Sequence, residues 1–208
     1  KGVCHQVMME NYVCPGELIF GADSHTCSYG ALGAFGTGVG CTDLLYGMVT
    51  GKSWVLVPET VKFNLVGKLP EGVYARDLIL TIIGTIGANG CNYQVMEFTG
   101  EGAKTLSISE RMVLCNMAVE AGAKTGIFEP DEKAIEYLEA HGRKPKALFK
   151  SDPDAVYARE YTFDLSKIRP VVAKPDFVDN LVPAEEVRGV KIDEAFLGSC
   201  NNGRIEDL

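Results

Sequence analysis

An α/β fold is predicted. Short β-patterned apolar runs alternate with helical runs along the 208 residues, the order that builds layers of strand and helix. The 23 glycines, about 11% of the chain against a usual ~7%, crowd into 21–51 and 84–102. There they mark sharply turned backbone rather than a flexible linker. A content of 46% hydrophobic and 23% charged residues suits a chain that buries a core. It excludes a disordered tail, a collagen-like repeat and a coiled coil.

Residues 6–12 read as a short helix stopped by Pro15-Gly16. Residues 17–20 form a short apolar strand whose carboxyl end delivers Gly21-Ala22-Asp23-Ser24-His25, the usual place for chemistry in an α/β sheet. The segment 36–49 reads as a helix packed closely through Gly36, Gly38 and Gly40. Strands are expected at 54–57 and 61–66, with Pro58 between them. A helix follows at 76–86, and 92–98 alternates like a strand. Ser107-Ile108-Ser109-Glu110 fits a capping box that opens a helix running to about Ala121 and ending at Gly122. An exposed helix at 133–140 is closed by Gly142. Residues 143–188 carry Pro145, Pro153, Pro170, Pro175 and Pro183 among many charges, the pattern of a domain junction. Residues 192–197 then read as a strand running into Gly198-Ser199-Cys200.

Twenty Lys and Arg against 28 Asp and Glu give a net charge of −8, which argues against a phosphate-backbone binder with its basic stripe. The longest apolar runs, at 78–84 and 54–57, fall far short of the ~20 residues of a membrane span. The opening residues include Cys4, His5 and Glu10 and lack the apolar core of a secretory signal. Seven cysteines, an odd number with no C-x-x-C spacing, argue against a disulfide framework and point to a reducing cytoplasm. Lys1 is not a start methionine, and Asn201–Leu208 reads as the first turns of a helix without a close. An internal piece of a longer polypeptide is expected.

Two glycine signals tempt towards nucleotides and both fail. Gly36-Thr37-Gly38-Val39-Gly40 has Cys41 where the fingerprint spacing needs a further glycine, and Gly47-Met48-Val49-Thr50-Gly51-Lys52-Ser53 is one residue short of a phosphate loop. Asp23-Ser24-His25 brings an acid, a hydroxyl and an imidazole within three residues. Two readings stand: a strand-exit loop aiming all three at one cleft, or a turn in which Asp23 and Ser24 only bond backbone amides. Asn116 and Glu120, spaced i, i+4, share one face of a helix beside the apolar Met112, Cys115 and Val119. A carboxylate at the edge of such a face needs a partner, so Glu120 is a candidate to pair with a histidine. Taken alone, His5 reads as an ordinary partly buried imidazole. Cys200 follows a strand and precedes a helix, and a thiol at a helix N-terminus suits a thiolate ligand or nucleophile. The other six cysteines read as small hydrophobes.

Taken together, these segments resemble the aconitase superfamily, in particular its 3-isopropylmalate dehydratase and homoaconitase large-subunit branch. The matching pieces are His5-Gln6 with Glu10-Asn11-Tyr12, Gly21-Ala22-Asp23-Ser24-His25-Thr26, Tyr29-Gly30-Ala31-Leu32-Gly33, and Gly38-Val39-Gly40 with Asp43. They continue with Cys115-Asn116-Met117, Glu120-Ala121-Gly122-Ala123, and Gly198-Ser199-Cys200 with Asn202-Gly203-Arg204. One departure is Asn201, where the family usually has threonine.

The resemblance implies aconitase-like three-layer α/β/α domains: the end of one at 1–58, a second at 59–160 and the start of a third at 161–208. It also implies a hydro-lyase that moves a hydroxyl between adjacent carbons. Its cofactor is a [4Fe-4S] cluster held by three cysteines, with one iron left open as a Lewis acid. Cys200 is then one ligand, with Asn202 beside it, and a C-x-x-C pair is expected beyond Leu208. His5 pairs with Asp23 and His25 with Glu120, while Ser24 and Asn116 hydrogen-bond substrate or cluster. The partners implied are a small subunit and a hydroxy-di- or tricarboxylate substrate, with neither nucleic acid nor membrane. The chain alone is expected neither to hold a stable cluster nor to catalyse.

Two rivals remain at this stage. An RNA-binding relative is disfavoured by the acidic charge and the lack of an aromatic–basic surface. A purely structural α/β module would explain the polar residues by turns and caps.

Overall fold

The computed structural model describes residues 1–207. A four-stranded parallel sheet forms its centre, in the order β5-β4-β3-β6. These strands are β3 (Thr60–Val66), β4 (Val95–Thr99), β5 (Thr125–Phe128) and β6 (Arg159–Asp164). Val61 stands opposite Met96 on one side and Arg159 on the other, and Val95 opposite Thr125. Along β3 the period-2 rule sends Val61, Phe63 and Leu65 into the core. Phe63, Phe98 and Phe128 stack across three neighbouring strands.

Helix α3 (Ala75–Ile86) buries Ala75, Leu78, Ile79, Ile82 and Ile83, the i, i+3, i+4 stripe of a core-facing helix. Helix α5 (Ile108–Asn116) is buried nearly all round, because it lies between α3 and a 3₁₀ segment, Ser24–Leu32. Its capping box forms as read: Ser107 Oγ accepts from the Glu110 amide at 3.2 Å, and Glu110 accepts from the Ser107 amide at 2.7 Å. Arg111, 1% exposed, makes a bidentate pair with Asp131 at 2.8 and 2.6 Å. Asp131 also caps α6 (Glu132–Ala140) through the Ala134 amide.

The amino-terminal part carries α1 (Cys4–Asn11), a parallel pair β1 (Leu18–Gly21) and β2 (Phe35–Gly38), and α2 (Cys41–Thr50). One buried cluster takes Met9, Val13, Tyr29 and Leu32 together with Val61, Phe63, Leu78 and Leu114, so the core runs across the boundary read at 58. The boundary read at 160 falls inside β6, which is hydrogen-bonded to β3. The remaining elements are α4 (Glu101–Thr105) and an antiparallel pair, β7 (Val171–Ala173) and β8 (Leu181–Pro183). Among the described residues no helix is long and apolar enough to cross a membrane.

Several sequence expectations change. The helix read at 36–49 is β2 followed by α2. A Cβ at Gly36 would overlap the Thr26 carbonyl, and one at Gly38 would stand 2.9 Å from that of Asp23. These glycines let a strand lie against the Asp23 loop. Residues 54–57 and 192–197 form no strand, having no neighbour to pair with. The strand read from Asn92 begins at Val95, since 89–93 turn and Tyr93 has φ 58°. The helix read to Ala121 stops at Asn116 and tightens into a 3₁₀ segment, Met117–Ala121. Cys200 opens a turn rather than a helix, and only a 3₁₀ turn, Ile205–Asp207, follows.

Candidate active site

Strand β1 ends at Gly21, and the chain passes through Ala22 to Asp23, which caps the 3₁₀ segment that follows. Asp23 Oδ1 accepts from the His25 amide at 2.8 Å and lies 2.8 Å from His5 Nε2. His5, in the first turn of α1, is 2% exposed. Its Nδ1 lies 3.1 Å from the Tyr29 hydroxyl. A carboxylate only accepts, so Nε2 carries the proton and Nδ1 takes the tyrosine O–H. Burial pushes the Tyr29 hydroxyl up to about 12, so it remains a donor. Burial alone would raise the Asp23 carboxyl, but the hydrogen bonds from His5 and the His25 amide outweigh it and hold it below the usual range.

His25 stands on the rim. Its Nε2 is 3.6 Å from Glu120 Oε1, and its Nδ1 is 3.8 Å from Asp23 Oδ1. Contact with Glu120 raises the His25 imidazole against the effect of burial, and Asp23 adds to it. Reciprocally, His25 lowers the Glu120 carboxyl, with help from Arg76. The change of winding after Asn116 matters here. At about three residues per turn, Glu120 no longer shares a face with Asn116. It swings to His25, while Asn116 turns inward towards Cys200.

Asn116, 1% exposed, donates through Nδ2 to Ser28 Oγ at 2.9 Å and to Cys200 Sγ at 3.4 Å. Ser28 Oγ in turn donates to the His25 carbonyl at 2.7 Å. A hydrogen-bond path therefore joins the sulfur of Cys200 to the backbone of His25. Cys200 is half-buried in a loop bent at Ser199 (φ 87°) and Gly203 (φ 101°). Arg204 folds over this loop, donating to the carbonyls of Cys200 and Asn201 and, through Nε, to Gln6 Oε1 on α1. Asn202 lies half-buried in the same turn. Ser24 is exposed and lines a cleft of about 590 Å³ with Thr37, Trp54 and Lys124.

The cysteines divide sharply. Burial pushes the Cys27 thiol up to about 12 and that of Cys115 well above the usual range. Both stay protonated, and Cys27 donates to the Asn116 carbonyl at 3.3 Å. Cys200 is open to the site and receives an N–H at its sulfur, the contact that suits a thiolate. Among the described residues no three His, Cys, Asp or Glu side chains converge as a metal site. The donor set thus fits one corner of a thiolate-bound cluster rather than the whole of it.

The structure brings together His5, Asp23, His25 and Glu120 in one group and Asn116 with Cys200 in another, and joins the two through Ser28. Sequence reasoning gave no role to Tyr29, Ser28, Arg76, Asn201 and Arg204. Tyr29 and Arg204 stood inside the quoted motifs and Asn201 was noted as a departure, whereas Ser28 and Arg76 carried no signal.

The model of the aconitase family (aconitate hydratase) matches residues 1–188. The 3-isopropylmalate dehydratase large subunit 1 of Methanopyrus kandleri is 53% identical over 209 residues, covering 100% of this chain and 50% of that protein. The probable 3-isopropylmalate dehydratase large subunit of Methanothermobacter thermautotrophicus is 54% identical over the same span and coverage. The probable methanogen homoaconitase large subunit of that organism is 51% identical, covering 100% of this chain and 49% of the relative. The chain spans about half the length of the curated relatives it matches. From end to end of this half, the chain belongs to the aconitase family.

Proposed function

We propose that the protein carrying this chain is the large subunit of a hydro-lyase that interconverts 2- and 3-isopropylmalate by removing and re-adding water. The reading is supported chiefly by one observation: two carboxylate–imidazole pairs and a donor-bound cysteine joined in a single hydrogen-bonded site. The 3-isopropylmalate dehydratase names of relatives at 50–54% identity support the choice of substrate. Cys200 would hold one corner of a [4Fe-4S] cluster, and the other thiolates belong to the half of the relatives' length that this chain does not span. When bound, the cluster supplies an open iron that acts as a Lewis acid on the substrate.

The chain's own residues set the protons. Asp23 holds Nε2–H of His5 and so fixes the ring's orientation, with Nδ1 facing the Tyr29 hydroxyl. Glu120 raises the basicity of the His25 imidazole, which can hold a proton and give it to a departing hydroxyl. Ser24, exposed on the cleft, would donate to a substrate carboxylate, and Asn116 with Asn202 would flank the cluster corner. The small subunit supplies the surface that reads the substrate's side group. All seven cysteines are unpaired thiols, which favours a reducing cytoplasm.

Iron and sulfide analysis of the complete protein, followed by assay with its small subunit on isopropylmalate and on homoaconitate, tests this. Isopropylmalate turnover by a cluster-containing complex is expected. Turnover of homoaconitate alone would move the protein to the homoaconitase reading, and the absence of iron would end both. Residues 1–208 by themselves, with a single open ligand, should take up no stoichiometric cluster and show no hydratase activity.

A further inference from the structure

We propose that Asn201 and Arg76 are positioning residues that lock the side-chain amide of Asn116 with its N–H₂ towards Cys200. The inference builds on the assignment of Cys200 as a cluster ligand, but its geometry stands apart from that assignment. Asn201 is 5% exposed and lies in the loop directly after the cysteine. Its Oδ1 accepts from Arg76 Nη1. Its Nδ2 donates to the Val113 carbonyl at 3.2 Å and to Asn116 Oδ1 at 3.1 Å.

The direction of this chain of bonds follows from chemistry alone. A guanidinium has five donors and no acceptor, and a peptide carbonyl only accepts. Reversing the Asn201 amide would set its N–H₂ against Arg76 and its oxygen against the oxygen of Val113. Its N–H₂ must therefore face Asn116, so Asn116 must answer with Oδ1. That leaves the two Asn116 N–H bonds for Ser28 Oγ and Cys200 Sγ. Every polar atom of this buried amide has a partner, and the arrangement admits no flip without leaving at least two groups unsatisfied. Arg76 has a second role, since it also lowers the Glu120 carboxyl. One cation on α3 thereby acts on the His25 pair through its charge and on the cysteine loop through a hydrogen bond.

An N–H held on a sulfur favours the thiolate and withdraws charge from it, one of the means by which proteins tune sulfur-bound iron. Without the Arg76–Asn201 relay, the Asn116 amide is free to turn its oxygen towards the sulfur, and the sulfur loses its donor.

The test compares Asn201→Thr with Asn201→Val in the complete protein, stripped of cluster. The two side chains share a shape and differ by one hydroxyl, which can accept from Arg76 and donate to Asn116. Alkylation by iodoacetamide at pH 7 is followed by peptide mass spectrometry, with the exposed Cys4 and Cys41 as references and the buried Cys27 and Cys115 as reporters of unfolding. Cys200 should react about threefold or more slowly in the Val variant than in the Thr variant, with Cys4 and Cys41 unchanged. Equal Cys200 rates in two folded variants would overturn the proposal. Should Cys27 or Cys115 become reactive in the Val variant, Arg76→Lys against Arg76→Met decides by the same readout, because only lysine keeps a donor for Asn201. A complete protein that binds no iron, with the alkylation difference intact, would instead remove the cluster assignment and leave the relay standing.

Discussion

The two histidines of the site use the same partner chemistry in opposite surroundings. His5 is built into the floor: it is buried, bonded at both ring nitrogens, and fixed in one tautomer by Asp23 and Tyr29. His25 sits on the rim, partly open, with carboxylates at 3.6 and 3.8 Å that are near but not in tight contact. The floor histidine is a structural orienter whose removal disturbs packing. On the proposed function, the rim histidine keeps the freedom to gain and lose a proton, and its removal should disturb chemistry.

The strongest way to break this contrast is to remove the support both share. The 3₁₀ segment carrying His25 and Tyr29 closes on β5 at Gly30, where a Cβ would overlap the Gly126 carbonyl. Gly30→Ala should cost about 3 kcal/mol or more, since backbone stands on both sides. Urea unfolding measures it, and a loss under 1 kcal/mol would show that the segment moves independently of the sheet. Next comes Glu120→Gln, which on the proposed function should lower turnover of the complete protein about 10²-fold with only a small, pH-dependent shift in thermal midpoint. Unchanged turnover would dissolve the rim's chemical role.

His5→Leu should show the reverse emphasis. It strands the Tyr29 hydroxyl, and stability should fall by about 1–3 kcal/mol in the same urea experiment. The smallest effect sharpens the contrast through pH. The raised His25 pKa means that its pairing stabilises the fold below the ordinary histidine range and is lost as pH rises through the raised value. The lowered Glu120 pKa means that the same pairing is present above the ordinary carboxylate range and is lost as pH falls through the lowered value. Parent and Glu120→Gln should therefore differ most in thermal midpoint between those two limits and converge outside them. A constant offset across pH would show that the pair does not titrate as described.

The α/β class was legible because α3, β3 and the Ser107 capping box carry strong local patterns. Strand β5 was not, for Thr125-Gly126-Ile127-Phe128 is four residues long and includes a glycine placed for close approach to α5. Strand β6 hid in a segment rich in proline and charge, where only Tyr161 and Phe163 alternate inward. In the site, Asp23 and His25 stood out as one loop. The pairing of His5 with Asp23 came through family resemblance, since 18 residues separate them. Arg76 and Asn201, 125 residues apart, leave no local trace, because their contact exists only once α3 and the cysteine loop are packed. The winding change after Asn116 was equally silent: an i, i+4 spacing predicts a shared face only while the helix stays α.

Helix α2 buries none of its side chains, and beside it stands Trp54, 80% exposed and the sole tryptophan of the chain. The tryptophan emission of residues 1–208 therefore comes from an exposed surface outside the packed sheet. Denaturing the core should barely move that emission, which already reports a water-bathed indole open to iodide quenching. A blue shift with loss of quenching would instead signal that something has come to rest on α2, whatever the state of the interior. Within residues 1–208 tryptophan fluorescence gauges coverage of one face, and folding must be followed by circular dichroism.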